Sequence, residues 1–195
     1  MSNLSLKDFD ILSQAEKDEA ISLLNRYEQL ENQKSCHKDF LSFVKYMWGD
    51  AFISGRHHKI IADKFNKIAQ GKLKRLIVCL PPRHSKSEFA STYLPAWMMG
   101  LNGALKIIQC THTAELAVRF GRKVRNLIDS DDFKTIFPNL RLQADNKSAG
   151  RWTTNQEGES FYAGVGGAIT GRGADLLIID DPHSEQDALS ETAME

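Results

Sequence analysis

Apolar residues recur at helical spacing through the first third of the chain and gather into short unbroken runs further on. Residues 6–32 mix charged and apolar side chains without a glycine or proline, which predicts one or two charged helices. Between 37 and 48, Phe40, Phe43, Val44 and Met47 fall at i, i+3, i+4 and i+7, the buried stripe of a second helix. Ile60, Ile61, Phe65 and Ile68 predict a third over 57–69, with 49–55 as the loop before it and Gly71 as its stop.

From residue 75 the pattern changes. Strands are predicted at 75–80, 105–110, 151–154, 160–165 and 176–179, with helices over 89–99 and 114–129 between the earlier ones. Residues 155–159 form a polar turn, and a less regular stretch holds Phe133, Phe137 and Pro138. Glycines at 164, 166, 167, 171 and 173 lead into the last strand. Leu176 to Ile179 does not alternate, as expected of a strand covered on both faces. The pattern is that of an α/β fold with a mostly parallel sheet flanked by helices. Residues 1–70 form an N-terminal helical segment and 71–195 the sheet-bearing core.

Candidate chemistry concentrates at two strand ends. The first predicted strand runs into Leu80-Pro81-Pro82-Arg83-His84-Ser85-Lys86-Ser87-Glu88 and then into a helix. Backbone N–H groups at a helix N-terminus are unpaired and favour an anion. A lysine there adds a charge for β/γ-phosphates, and the next hydroxyl, Ser87, suits Mg²⁺. Measured against G-x-x-x-x-G-K-[ST], the two glycine positions hold Leu80 and Ser85. The alternative is a Pro-rich turn with an exposed lysine. At the other end, Leu176-Leu177-Ile178-Ile179 leads into Asp180-Asp181. In open α/β sheets the carboxyl ends of strands bind ligands. One acid there can hold Mg²⁺, and a second can orient or deprotonate water. The pair is also what a helix cap with an acidic first turn looks like. A nucleotide site requires Lys86 and both acids to converge.

Composition narrows the partners. The chain has 195 residues, 42% hydrophobic and 26% charged, with formal net charge zero, so a globally basic surface is excluded. Cys36, Cys79 and Cys110 show no paired spacing and read as buried thiols of a reducing compartment. No run approaches about 18 apolar residues and no signal pattern opens the chain, so a soluble protein in the cytoplasm, without membrane contact, is expected. Arg119, Arg122, Lys123 and Asn126 share one helix side, and Lys72, Lys74 and Arg75 cluster elsewhere. Each is a candidate DNA contact or a solvated face.

In these stretches the chain resembles the large subunit of tailed-phage terminases, the ATPase–nuclease that drives DNA into the capsid. The resemblance covers residues 37–195 and rests on Phe52 to His58, the loop at 80–88, the run from Thr111 (THTAELAVRFGRKVRNLI), Trp152-Thr153-Thr154, and GVGGAITGRGADLLIIDDPHS from Gly164. That family tolerates a first motif without glycines. The resemblance implies a P-loop NTPase of the additional-carboxylate type, with ATP and Mg²⁺ as cofactors. Lys86 and Ser87 would contact phosphate and metal, within a loop of Pro82, Arg83, His84, Ser85 and Glu88. Asp180 would hold the metal and Asp181 would be the catalytic carboxylate, where the family often has glutamate. Arg83 would sense or stabilise the γ-phosphate, and Arg172 is a rival arginine finger acting on a neighbouring subunit. Either arginine is otherwise a surface anchor. His57 and His58 occupy the region near the adenine base, and His84 and His183 are loop neighbours.

The implied partners are double-stranded DNA, the terminase small subunit, the portal protein and further copies in a ring, within the host cytoplasm. Relatives continue into a strand that inserts between the two motif-bearing strands, and then into a nuclease domain. Ending at Glu195, this chain is expected to have an incomplete sheet and to need the remaining half. The other readings are a nucleotide-binding or assembly fragment without turnover, docking through its N-terminal helices, and a helicase-like or recombinase-like P-loop ATPase.

Overall fold

Ser13 opens the first helix: its hydroxyl accepts the Glu16 N–H, and the Glu16 carboxylate accepts the Ser13 N–H over 2.8 Å. A computed structural model describes residues 13–167 and 169–183, with the side chains of 144–147 outside that description. Residues 6–12 of the predicted first helix, Ala168 and everything beyond His183 lie outside it.

The first described helix, α1 (Gln14–Lys38), is continuous and ends six residues beyond the expected stop at residue 32. It ends because Asp39 is extended (φ −138°, ψ 122°) and caps α2 (Phe40–Trp48) through the Ser42 N–H. His37 and Lys38 therefore finish α1 and do not begin α2. A short 3₁₀ turn, Gly49–Ala51, precedes α3 (Arg56–Ala69), and Gly71, at φ +70°, follows it. The buried stripe of α3 runs through His58, Ile61, Ala62 and Phe65, and Ile60, expected inside, is 53% exposed. The rings of Phe65, Phe89 and Trp97 meet Phe40 edge-on at 5.1–5.5 Å, which joins the helical segment to the core.

A π-helical segment, Glu88–Tyr93, runs directly into α4 (Leu94–Leu101). Then come β1 (Lys106–Thr111), α5 (Ala114–Asp129), α6 (Asp131–Ile136), β2 (Leu142–Ser148), β3 (Arg151–Thr154), β4 (Glu159–Gly164) and β5 (Leu176–Asp180). The protein is α/β, with a five-stranded sheet ordered β2-β3-β4-β1-β5 and flanked by helices. It is mixed and not mostly parallel. β4, β1 and β5 are parallel, whereas β2, β3 and β4 pair antiparallel. The short turn between β3 and β4 dictates that pairing, because parallel neighbours need a longer crossover. α6 and β2 were not predicted. α6 is one turn and a half behind a Ser130 cap, and β2 is too polar to show alternation.

α5 packs close to the sheet at Gly121, where a Cβ would lie 2.1 Å from the Ala149 carbonyl oxygen. The Trp152 indole N–H donates to the Gly121 carbonyl there. Two strand expectations are corrected. Residues 73–81 pair with no described strand. Leu76, Val78 and Leu80 turn towards the core while Ile77 is 89% exposed, so the strand-like alternation is there but the ladder is not. β5 is an edge strand among the described residues and is covered on one face only. Ile178 and Asp180 are buried, and Leu177 and Ile179 are 57% and 60% exposed. Cys79 is exposed, against expectation, because it shares the outward side of its segment with Ile77; Cys36 and Cys110 are buried, and all three are free thiols. Among the described residues no helix is long and apolar enough to cross a membrane.

Candidate functional site

The loop at 82–87 and the end of β5 meet. The Lys86 ammonium donates to Asp181 Oδ1 over 2.5 Å and lies 3.8 Å from Asp180 Oδ1, across 95 residues of sequence. The sheet register explains the meeting. Thr111 of β1 pairs with both Gly164 and Asp180, so the parallel strands end level and present their carboxyl ends together. The Asp181 carbonyl then accepts the His112 N–H over 3.1 Å, which holds the chain leaving β5 beside the chain leaving β1.

The two acids differ in setting. Asp180 is buried, with Oδ2 held by the Ser91 hydroxyl at 2.8 Å and Oδ1 on the side of Lys86. The Asp181 side chain is 65% exposed. Burial by itself depresses the Lys86 pKa, but the hydrogen bond and charge of Asp181, with the charge of Asp180, outweigh it and raise it. Lys86 is therefore a fixed cation.

Backbone strain gathers at the same place. Arg83 has φ 64°, Ser85 φ 60° and Asp181 φ 45°, in the left-handed region that non-glycine residues avoid. Glu157, in the β3–β4 turn, is the fourth such residue described. Ser85 occupies a position that the phosphate-loop pattern gives to glycine, and it takes the conformation that glycine would supply. Left-handed residues persist where the surrounding structure holds them, and they cluster at functional sites.

Other expected residues border this centre. Pro82 accepts from His84 Nδ1 at 2.8 Å through its carbonyl, closing the loop tip. Arg83 is exposed and makes no ion pair with another described residue. Ser87 follows Lys86 at the start of the helix. Glu88 pairs with Lys123 of α5, so Lys123 is tied to the loop and not free to serve the expected basic helix face. Arg119, Arg122 and Asn126 are exposed. His58 is buried, and its Nδ1 accepts the Gly55 N–H, which places the ring proton on Nε2. Its ring stacks on Phe89 at 4.8 Å and lies 3.9 Å from His57, which lies 5.6 Å from His84. Burial, and then the neighbouring His57 and His84, push the His58 pKa down, so its imidazole is neutral. His183 is exposed just past the acids.

Arg172 is not brought to this centre. Its guanidinium donates to Glu159 at 2.8 Å and lies 4.0 Å from the Phe161 ring. Glu159 pairs with Lys106 at the opposite end of the parallel strands, about 16 Å of strand away. There Arg172 cannot serve Lys86 of its own chain.

Ser91 was missed. It lies on the segment that begins one residue after Ser87, between Ala90 and Thr92, and no sequence signal set it apart from the other small residues there. The wider π-helical turn is of the kind that often marks functional sites. The cluster as a whole offers one fixed cation, one oriented buried carboxylate and one exposed carboxylate beside a strained loop and a helix start. Such a set can bind a polyanion and hold a hard cation through one carboxylate. No protein-family model matches the chain, and no curated protein matches it.

Proposed function

We propose that the cluster of Lys86, Asp180 and Asp181 is the triphosphate site of a P-loop ATPase, and that the chain is the ATPase part of a terminase-like DNA-packaging motor. The observation that carries this reading is the contact of Lys86 with both acids at the carboxyl end of a parallel strand. Two motifs far apart in the sequence require that contact, and neither a Pro-rich turn nor a helix cap does. The strained, glycine-free loop adds support, since Ser85 takes, at a glycine position of the pattern, the left-handed conformation that glycine permits.

Each group has work suited to its setting. The Lys86 ammonium rests on Asp181 without ligand and exchanges that partner for β/γ-phosphate oxygens. Asp181, thereby released and exposed, can accept a proton from water or orient it. Asp180 cannot swing, because Ser91 holds one oxygen, so it presents the other at a fixed point. Ser87 and Asp180 are the residues that would hold Mg²⁺. The fit is good because this ion takes one or two protein oxygens and otherwise water and phosphate. When bound it neutralises phosphate charge. Arg83, exposed at the loop tip, would sense or stabilise the γ-phosphate, and His57 and His58 would lie near the base. Arg172 would act on a neighbouring copy. Double-stranded DNA, a small subunit and a portal are the partners this reading implies.

The test is binding of a fluorescent ATP analogue with Mg²⁺, alongside phosphate release. Lys86→Ala should weaken binding by about tenfold or more, ~1.4 kcal/mol. Asp181→Asn should keep binding and lose hydrolysis. Unchanged binding in Lys86→Ala would refute the reading.

A further inference from the structure

The first helix carries a surface that the nucleotide reading does not use. From residue 18 to residue 31 no side chain of α1 is buried, and Leu23, Leu24, Tyr27 and Leu30 are 61%, 62%, 65% and 54% exposed. Its last turns bond to the body: Gln33 donates to Thr135, the Cys36 carbonyl accepts from Trp97, and His37 bonds Ile136. A helical arm of this kind is marginal by itself and gains stability by burying an apolar face.

The face has a definite pattern. Glu16, Ala20, Leu23, Tyr27, Leu30 and Lys34 follow in alternating steps of four and three, the seam of a coiled coil with an acid at one end and a base at the other. We propose that this seam pairs α1 with α1 of a second copy of the chain, in antiparallel orientation. A two-fold axis near Asn25 sets Glu16 opposite Lys34, Ala20 opposite Leu30, and Leu23 opposite Tyr27. Every layer then joins an acid to a base, a small side chain to a large one, or two large apolar ones. The parallel arrangement stacks Lys34 on Lys34 and Glu16 on Glu16, like charges that oppose it.

The charged ends are available for this. Glu16 uses Oε2 for Ser13 and keeps Oε1, and the exposed Lys34–Glu31 contact, at 3.6 Å, is weak enough to exchange. Leu24 flanks the seam and meets its own copy across the axis, enlarging the apolar strip. Arg26 on the other flank also meets its copy, at the solvent rim. A two-fold pairing closes on itself, so this contact joins two copies and no more.

Sedimentation velocity on the full chain tests this, and the outcome does not depend on nucleotide binding. A concentration-dependent dimer is expected. Leu23→Asp, on an exposed position, should leave the core folded by near-ultraviolet circular dichroism and weaken association by about tenfold or more. In a Cys79→Ser background, Leu24→Cys should form a disulfide-linked dimer under mild oxidation, and Lys34→Cys should not. A monomer at high micromolar concentration overturns the proposal, and the seam is then left to another protein. A dimer indifferent to Leu23→Asp, or one linked through Lys34→Cys, overturns it as well.

Discussion

Ser91 donates its hydroxyl to the buried carboxylate of Asp180 over 2.8 Å, from the turn that follows the phosphate-loop candidate. Both groups are shielded from water, so the bond fixes which oxygen of Asp180 faces Lys86. Ser91→Ala leaves that oxygen buried and unpaired, at about 1–3 kcal/mol. The expected outcome is a melting temperature lower by about 2–4 °C for each kcal/mol, measured by calorimetry. On the ATPase reading, the Mg²⁺ concentration for half-maximal hydrolysis should also rise, whereas a loss confined to stability would make the bond purely structural.

Ser85 holds φ 60° with a side chain that opposes it. Ser85→Gly relieves strain of about 1–2 kcal/mol and gives back part of that in unfolded-chain entropy. Stability should rise by up to about 1 kcal/mol with nucleotide affinity retained. Ser85→Val should lower both, read by urea denaturation and analogue binding.

His58 titrates below its ordinary 6.5 because burial disfavours its charged form. The unfolded chain therefore takes up a proton before the folded one does. Stability contributed by the neutral ring is complete above pH 6.5 and declines as pH falls from there through the lowered folded value. Melting temperatures between pH 7 and pH 5 should fall less steeply in His58→Leu than in the unmodified chain.

Arg172 pins the segment before β5 to Glu159 and Phe161. Arg172→Ala should speed backbone hydrogen exchange in that segment while leaving nucleotide affinity of the isolated chain unchanged, because the guanidinium sits at the far end of the strands. A drop in that affinity would show that Arg172 reaches Lys86 within one chain.

Much of the fold was legible because it rests on local periodicity. The stripe of Phe40, Phe43 and Val44, the helix over 114–129 and the strands around 106–111 and 176–180 all appear where apolar spacing put them. β2 and α6 were not legible, since a polar strand is defined by its partner and a short helix by its cap. The extended residues 73–81 show the limit from the other side. Their alternation is correct for a strand, but a ladder needs a neighbour, and pairing is not a property of one segment.

The sequence by itself determined the chemistry on offer: a lysine and hydroxyl at a helix start, two adjacent acids after an apolar run, and the glycine that stops the third helix. Those follow from residue type and nearest neighbours. Only tertiary structure decided that Lys86 bridges to both acids, that Ser91 orients one of them, and that Arg172 is held at the opposite end of the sheet. The reason is physical. Each of those contacts depends on strand order and register, which are set by packing of the whole core and cannot be read from any single stretch of chain.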